Sequence, residues 1–225
     1  MRYELIQLPM KTALSDFEQL RADYPKTQKY PFFIGGERNL KIFERSPKIS
    51  VSEIEEAISR SFDVDMTQWF ANRQKEERAN KWFDEEEKLG HWAEISRKES
   101  MPYVLNEKRT GEKSEFVHTG LAEIEAPWML PAIVSFGGWN DCPRVDVQCA
   151  AMRYWQEKYG AELITMSSDY LECLVKNPPE TKEEAMKLAW EQYFFCTDIV
   201  DQGTDTVSDL GAALLNTKLW FFWWD

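Results

Sequence analysis

The residue whose surroundings most suggest chemistry is Cys142, which follows Trp139-Asn140-Asp141 and precedes Pro143, a residue suited to the first position of a helix. A thiol at a helix start meets exposed N–H groups and the positive end of the helix dipole, which lower its pKa and make it nucleophilic. His118 is the histidine nearer to it in sequence, with no third residue in evidence to orient such a pair. The plainer reading is a structural turn. In that reading Gly137-Gly138 permits the bend, Asn140 or Asp141 caps the helix, and Cys142 packs.

A second group is Asp198, Asp201, Asp205 and Asp209, with Gln202 among them and Asp225 at position 225. Several carboxylates could surround Mg²⁺ or Ca²⁺, yet these match no calcium-loop spacing, and Asp is also a common cap and turn residue between helices. Glu162, Glu172 and Glu191 could serve as acid and base, but spacing alone does not set the distances between them. The candidate binding set is therefore Trp139, Asn140, Asp141, Cys142, Asp198, Asp201, Gln202 and Asp225. No catalytic residue is assigned, and no metal or cofactor is expected. Cys142, Cys149, Cys173 and Cys196 lack CxxC spacing, which argues against zinc. Gly137-Gly138 and Gly203 lack a phosphate-cradling context. Trp139, Trp190, Trp220, Trp223 and Trp224 could line an aromatic pocket, or simply fill a core.

The elements that must position these residues are legible to different degrees. Leu14, Phe17 and Leu20 predict a short helix ended by Pro25, and Tyr30–Ile34 before Gly35-Gly36 predicts a strand. Ser-x-x-Glu spacings at Ser50/Glu53 and Ser52/Glu55 open a helix over about 52–62. Asp65 to Leu89, free of Pro and Gly, reads as one long charged helix. Residues 96–126 read as a linker or peripheral excursion. Trp128–Phe136 reads as a buried strand, although Pro131 would restrict its pairing. Val145, Cys149, Met152, Trp155 and Tyr159 share one face of a helix closed by Gly160. A hairpin follows over Leu163–Met166 and Tyr170–Val175, then a helix begun by Thr181/Glu184 and running to about Val200, then one opened by Thr206. The last strand, Leu219–Trp224, should alternate its side chains between two faces. The expected class is α+β, a mainly antiparallel sheet with helices packed on one face. Its carboxy-terminal order is β-α-β-β-α-α-β over 115–225, and an amino-terminal α/β section over 1–110 carries the long charged helix.

Phe136-Gly137-Gly138-Trp139-Asn140-Asp141-Cys142-Pro143, Tyr159–Leu163, Glu191-Gln192-Tyr193 with Cys196–Gly203, and Trp220–Asp225 occur in this order. With these four motifs the chain resembles the family called domain of unknown function 4253, over about residues 115–225. The resemblance implies a domain limit and a bacterial origin. It implies no activity, catalytic residue or cofactor.

Charge narrows the function classes. The chain carries 27 Lys and Arg against 39 Asp and Glu, a net −12, and residues 121–225 hold 17 of the acids against 7 of the bases. Such a balance repels polyanions and attracts cations, so nucleic acid is not expected as a partner and a basic protein is. No apolar run is long enough to span a membrane, which with the lack of a signal-like start suggests a cytoplasmic protein. The expected function is a non-enzymatic interaction protein, for instance an immunity protein neutralising a cationic toxin. The alternative is a small-molecule binder or hydrolase-like enzyme using the Trp139–Cys142 turn and the Asp198–Asp209 segment.

Overall fold

A computed structural model describes residues 3–45, 49–93, 101–111 and 113–225. In chain order the elements are β1 (Tyr3–Pro9), α1 (Ala13–Thr27), β2 (Lys29–Gly35), α2 (Glu37–Arg45), α3 (Val51–Ser61), α4 (Met66–Ala79) and α5 (Glu85–Leu89). A 3-10 turn, Tyr103–Leu105, leads to α6 (Glu107–Thr110) and β3 (Phe116–Glu123). Then come a 3-10 turn at Pro127–Met129, α7 (Leu130–Val134), α8 (Val145–Tyr159), β4 (Ala161–Met166), β5 (Tyr170–Val175), α9 (Lys182–Phe195), a π turn at Val200–Thr204, α10 (Val207–Leu214) and β6 (Leu219–Trp223).

The six strands form one sheet in the order β1-β3-β2-β4-β5-β6. All neighbours are antiparallel except β2 and β4. The α+β class holds. Because β2 lies between β3 and β4, the sheet of the carboxy-terminal half is continuous only through an amino-terminal strand. Alternation then builds two cores. Tyr30, Phe32 and Ile34 of β2 join the larger one with Trp155, Phe195, Trp220 and Phe222, under α3, α7, α8 and α9. Phe33 faces the other way and stacks on Phe17 of α1, 4.1 Å between ring centres, in a smaller cluster with Val104, Leu105, Val117 and Ile164. Helical segments thus cover both faces, where the patterning predicted one. The first half supplies the second cover.

Local signals fared well. Ser50 and Glu53, and Thr181 and Glu184, make reciprocal capping boxes, which satisfy otherwise orphaned helix N–H groups. Trp220, Phe222 and Trp224 are buried, and Leu219, Phe221 and Trp223 only half so. Several expectations are corrected, and α1 runs through Pro25 to Thr27 instead of ending at the proline. Trp128–Phe136 is a 3-10 turn and a short helix, with Pro127 and Pro131 in first-turn positions where a missing N–H costs nothing. The 96–126 excursion contains β3, whose residues 116–123 pair with β1 and β2; its residues 96–100 and 112 lie outside the described residues. Asp65–Leu89 is two helices, because the Asp84 side chain caps α5 by accepting from the Glu86 and Glu87 N–H groups. The helix begun by Thr181 also ends earlier than expected, at Phe195, and the π turn takes up the chain.

Candidate functional site

The Trp139–Cys142 turn is built by its glycines. Gly137 has φ +114° and Gly138 φ +85°, and a Cβ on Gly137 would lie 2.2 Å from the Pro143 carbonyl oxygen. The Gly138 N–H donates to the Cys142 and Pro143 carbonyls, each at 3.1 Å, and the Cys142 N–H to the Trp139 carbonyl at 2.9 Å. Neither Asn140 nor Asp141 caps α8, whose cap position is Arg144. Cys142 therefore precedes the helix instead of starting it. Its thiol is buried, accepts from Gln148 Nε2 at 3.3 Å, and is pushed well up in pKa by burial, the opposite of an activated nucleophile. His118 does not pair with it; its Nε2 is 3.0 Å from Glu37 Oε1. Trp139 packs edge-on against Phe136.

The two predicted loops nevertheless meet. Asn140 Nδ2 donates to the main-chain oxygen of Asp225 at 2.5 Å, the Asp225 N–H donates to Asp198 Oδ2 at 3.0 Å, and Gln202 Nε2 donates to Asp198 Oδ1 at 2.9 Å. Asn140, Asp225, Asp198 and Gln202 thus form one hydrogen-bonded chain, with position 225 as the bridge. Asp141 and Asp201 turn instead to cations from the first half. Arg73 of α4 grips both Asp141 oxygens, at 3.0 and 2.9 Å, and approaches Glu77 at 3.5 Å. Lys88 of α5 reaches Asp201 at 2.5 Å and lies 5.8 Å from the centre of the Tyr193 ring. Glu77 is held above its usual carboxylate range by burial, with Asp141 and Asp201 adding repulsion against the pull of Arg73. Asp209 belongs to a cap, since Thr206 Oγ1 donates to its carboxylate and accepts from its N–H. Asp205 closes the π turn in a positive-φ conformation.

Acidic side chains from separate stretches are in this way drawn into one neighbourhood. Arg78 of α4 also binds Glu85 through two hydrogen bonds, and Gly90, just beyond α5, packs against Thr206. Among the described residues no group of three or more His, Cys, Asp or Glu has the arrangement to hold a metal ion. Arg73, Glu77 and Lys88 went unnoticed in the sequence, where they are ordinary charges on a helical background. Charge elsewhere is less one-sided than the composition implied. Arg38, Lys41 and Arg45 of α2, together with Lys113, line a cleft of about 620 Å³.

Glu172 and Glu191 are structural. Glu172 accepts from the Tyr103 N–H at 2.6 Å, the Val104 N–H at 3.4 Å and Thr165 Oγ1 at 2.8 Å, tying the 103–105 turn to the sheet. Burial still raises its pKa. Glu191 accepts from Tyr154, Trp155 and Lys158. Glu162 pairs with Arg21 of α1.

The family described as domain of unknown function (DUF4253) matches residues 118–225. No curated protein and no solved structure matches the chain. The match takes in the turn, the Asp198–Gly203 segment and the aromatic last strand, and it leaves out Arg73, Lys88 and β2. Over residues 118–225 this chain is similar to the DUF4253 family.

Proposed function

We propose that this protein is a non-enzymatic interaction protein whose acidic neighbourhood around Asp141, Asp201 and Asp225 engages a basic protein, as an immunity protein engages a cationic toxin in the cytoplasm. The observation that supports the reading is the convergence just described. Glu77, Glu85, Asp141, Asp198, Asp201 and Asp225 come from four separate stretches of chain, and three cations, Arg73, Arg78 and Lys88, are committed to them. Carboxylates in excess over cations produce a field that steers a positively charged surface and fixes its register. Paired charges at fixed positions also lose little on docking, because their side chains are already ordered.

The test is capture of partners from the native cell at low and at moderate salt, with wild type and with a Glu86→Gln, Glu87→Gln, Asp205→Asn variant that neutralises exposed charge without touching the named pairs. The expected result is a basic protein held by wild type at low salt, weakened by salt and weakened again in the variant. Recovery of no such protein, or one indifferent to both changes, overturns the reading.

A further inference from the structure

The basic cleft beside α2 has a neighbour. A second cleft, of about 360 Å³, is lined by Asn39, Tyr103, Tyr170, Phe221 and Trp223, and it shares Arg38 and Ile42 with the first. Because those two residues, one helical turn apart, belong to both walls, the clefts are adjoining parts of one groove along α2.

Helical spacing makes one end of this groove basic. Arg38, Lys41 and Arg45 stand at i, i+3 and i+7, on one face of α2, and all three are exposed, while Leu40 and Phe43 are buried on the other side. The two acids of the helix turn elsewhere. Glu37 Oε1 lies 3.0 Å from His118 Nε2, and Glu44 stands near Tyr3, whose pKa is raised by burial and then by this carboxylate. Lys113 adds a fourth exposed cation from a different stretch of chain. None of the four has a hydrogen-bond or ion-pair partner among the described residues, whereas Arg73, Arg78 and Lys88 in the acidic neighbourhood are all paired. Like charges on one helical ridge repel, and the described chain supplies no anion to offset them. The carboxylates that line the groove are Glu37 and Asp169, which accepts from Ser168 Oγ at 2.8 Å, so four cations face two acids.

The other end is aromatic. Tyr103, Tyr170 and Phe221 form one cluster with ring centres 5.1 to 5.6 Å apart. Trp223 lines the groove beside them, half-buried, and its indole meets no other ring among the described residues. A flat face left in this way suits stacking by a planar ring. Phe221 and Trp223 also reach a cavity of about 270 Å³ at the edge of β6, whose wall includes Glu172 and Asp198. There the chain satisfies the carboxylates itself, through the hydrogen bonds described above, so that cavity presents no comparable unpaired charge.

We infer that the groove along α2 binds a nucleoside diphosphate or triphosphate, with its phosphates on Arg38, Lys41, Arg45 and Lys113 and its base stacked on Trp223. Guanidinium and ammonium groups are strong donors to phosphate oxygens, and Arg38 to Arg45 covers about 10 Å of helix, enough for more than one phosphate. A long polyanion is disfavoured, because the chain as a whole carries −12 and repels what extends beyond the groove. The site is independent of the acidic neighbourhood and of any protein partner.

The experiment titrates the whole chain with ADP by calorimetry, and in parallel with adenosine, pyrophosphate and a ten-residue thymidine oligonucleotide. ADP should bind saturably, more tightly than any of the other three, and more weakly as salt is raised. In a proton–nitrogen spectrum ADP should move the indole N–H signal of Trp223, identified by its absence in Trp223→Phe. A Lys41→Gln, Arg45→Gln variant should bind ADP about tenfold more weakly, and Lys113→Gln, which leaves α2 intact, about threefold. Both should melt no lower than wild type without ligand, since the residues changed are exposed and unpaired. Absence of saturable ADP binding, adenosine or pyrophosphate binding as tightly as ADP, an oligonucleotide that binds more tightly, ADP affinity unaltered in either variant, or a Trp223 signal that stays in place would each overturn the assignment.

Discussion

The acidic neighbourhood and the cavity at the edge of β6 share Asp198, yet they treat polar groups in opposite ways. In the first, nearly every named charge has a partner: Asp141 with Arg73, Asp201 with Lys88, Glu85 with Arg78. In the second, the carboxylates are satisfied internally, while Gln192 Nε2 and Trp220 Nε1 are buried behind the wall without a partner among the described residues. Paired groups near water report how the chain holds itself together and what field it presents. Unpaired groups away from water carry a cost that the surrounding packing must offset.

The most severe way to break the comparison is to remove what both regions share. A fragment spanning 115–225 retains every family motif but lacks β2, which separates β3 from β4, and lacks Arg73 and Lys88. It should fail to give a cooperative unfolding transition, whereas the full chain should give one; a fragment that melts cooperatively with native circular dichroism would show that the family segment is self-sufficient.

Gly137→Ala attacks the acidic region alone. It puts a side chain at φ +114° and 2.2 Å from a backbone oxygen. A loss of about 3 kcal/mol or more in urea denaturation is expected, since neither the dihedral nor the carbonyl can relax without dismantling the turn. A neutral effect would mean that the turn is not held as described.

Arg73→Ala should cost about 1 kcal/mol, the upper range for a partly exposed bidentate pair, and the difference from wild type should shrink in high salt. A difference from wild type that high salt leaves unchanged would show that the loss does not come from the ion pair.

The smallest effect is a pH slope. The pKa of Glu77 is raised in the folded protein, so between the ordinary value of 4.5 and its raised value the native state binds more protons than the unfolded chain. This group therefore makes stability fall as pH rises through that interval. Glu77→Gln should flatten that part of the profile, and a profile unchanged by the substitution would place the slope on another group.

How much of this was legible depended on how far apart the interacting residues lie. The capping boxes at Ser50/Glu53 and Thr181/Glu184 close over three residues, so local spacing was sufficient to find them. The hairpin from β4 to β5 and the alternation of β6 likewise depend on near neighbours and a period of two. β3 is different. Its residues FVHTGLAE mix apolar and polar types without a clear period and are interrupted by Gly120, and they read as a linker because their partners, β1 and β2, are distant in sequence. Gly120 itself is explained by packing, since a Cβ there would lie 2.3 Å from the Phe32 ring. Trp128–Phe136 misled for the converse reason. An apolar run buried on all sides has no periodicity, and the marks of helical turns were Pro131 within it and Pro127 just before it.

The sequence by itself determined the α+β class, the family likeness of residues 118–225, the net charge, and the candidate loops at Trp139–Cys142 and Asp198–Asp209, because each is written in composition or in contacts a few residues long. Only the tertiary structure decided that these loops join through Asp225, that Cys142 is a packed thiol, and that Arg73 and Lys88 hold the acidic residues. Those outcomes depend on which strands and helices come together across more than a hundred residues. Pairing of that kind is selected by the fit of whole buried faces, and no single stretch of chain encodes it.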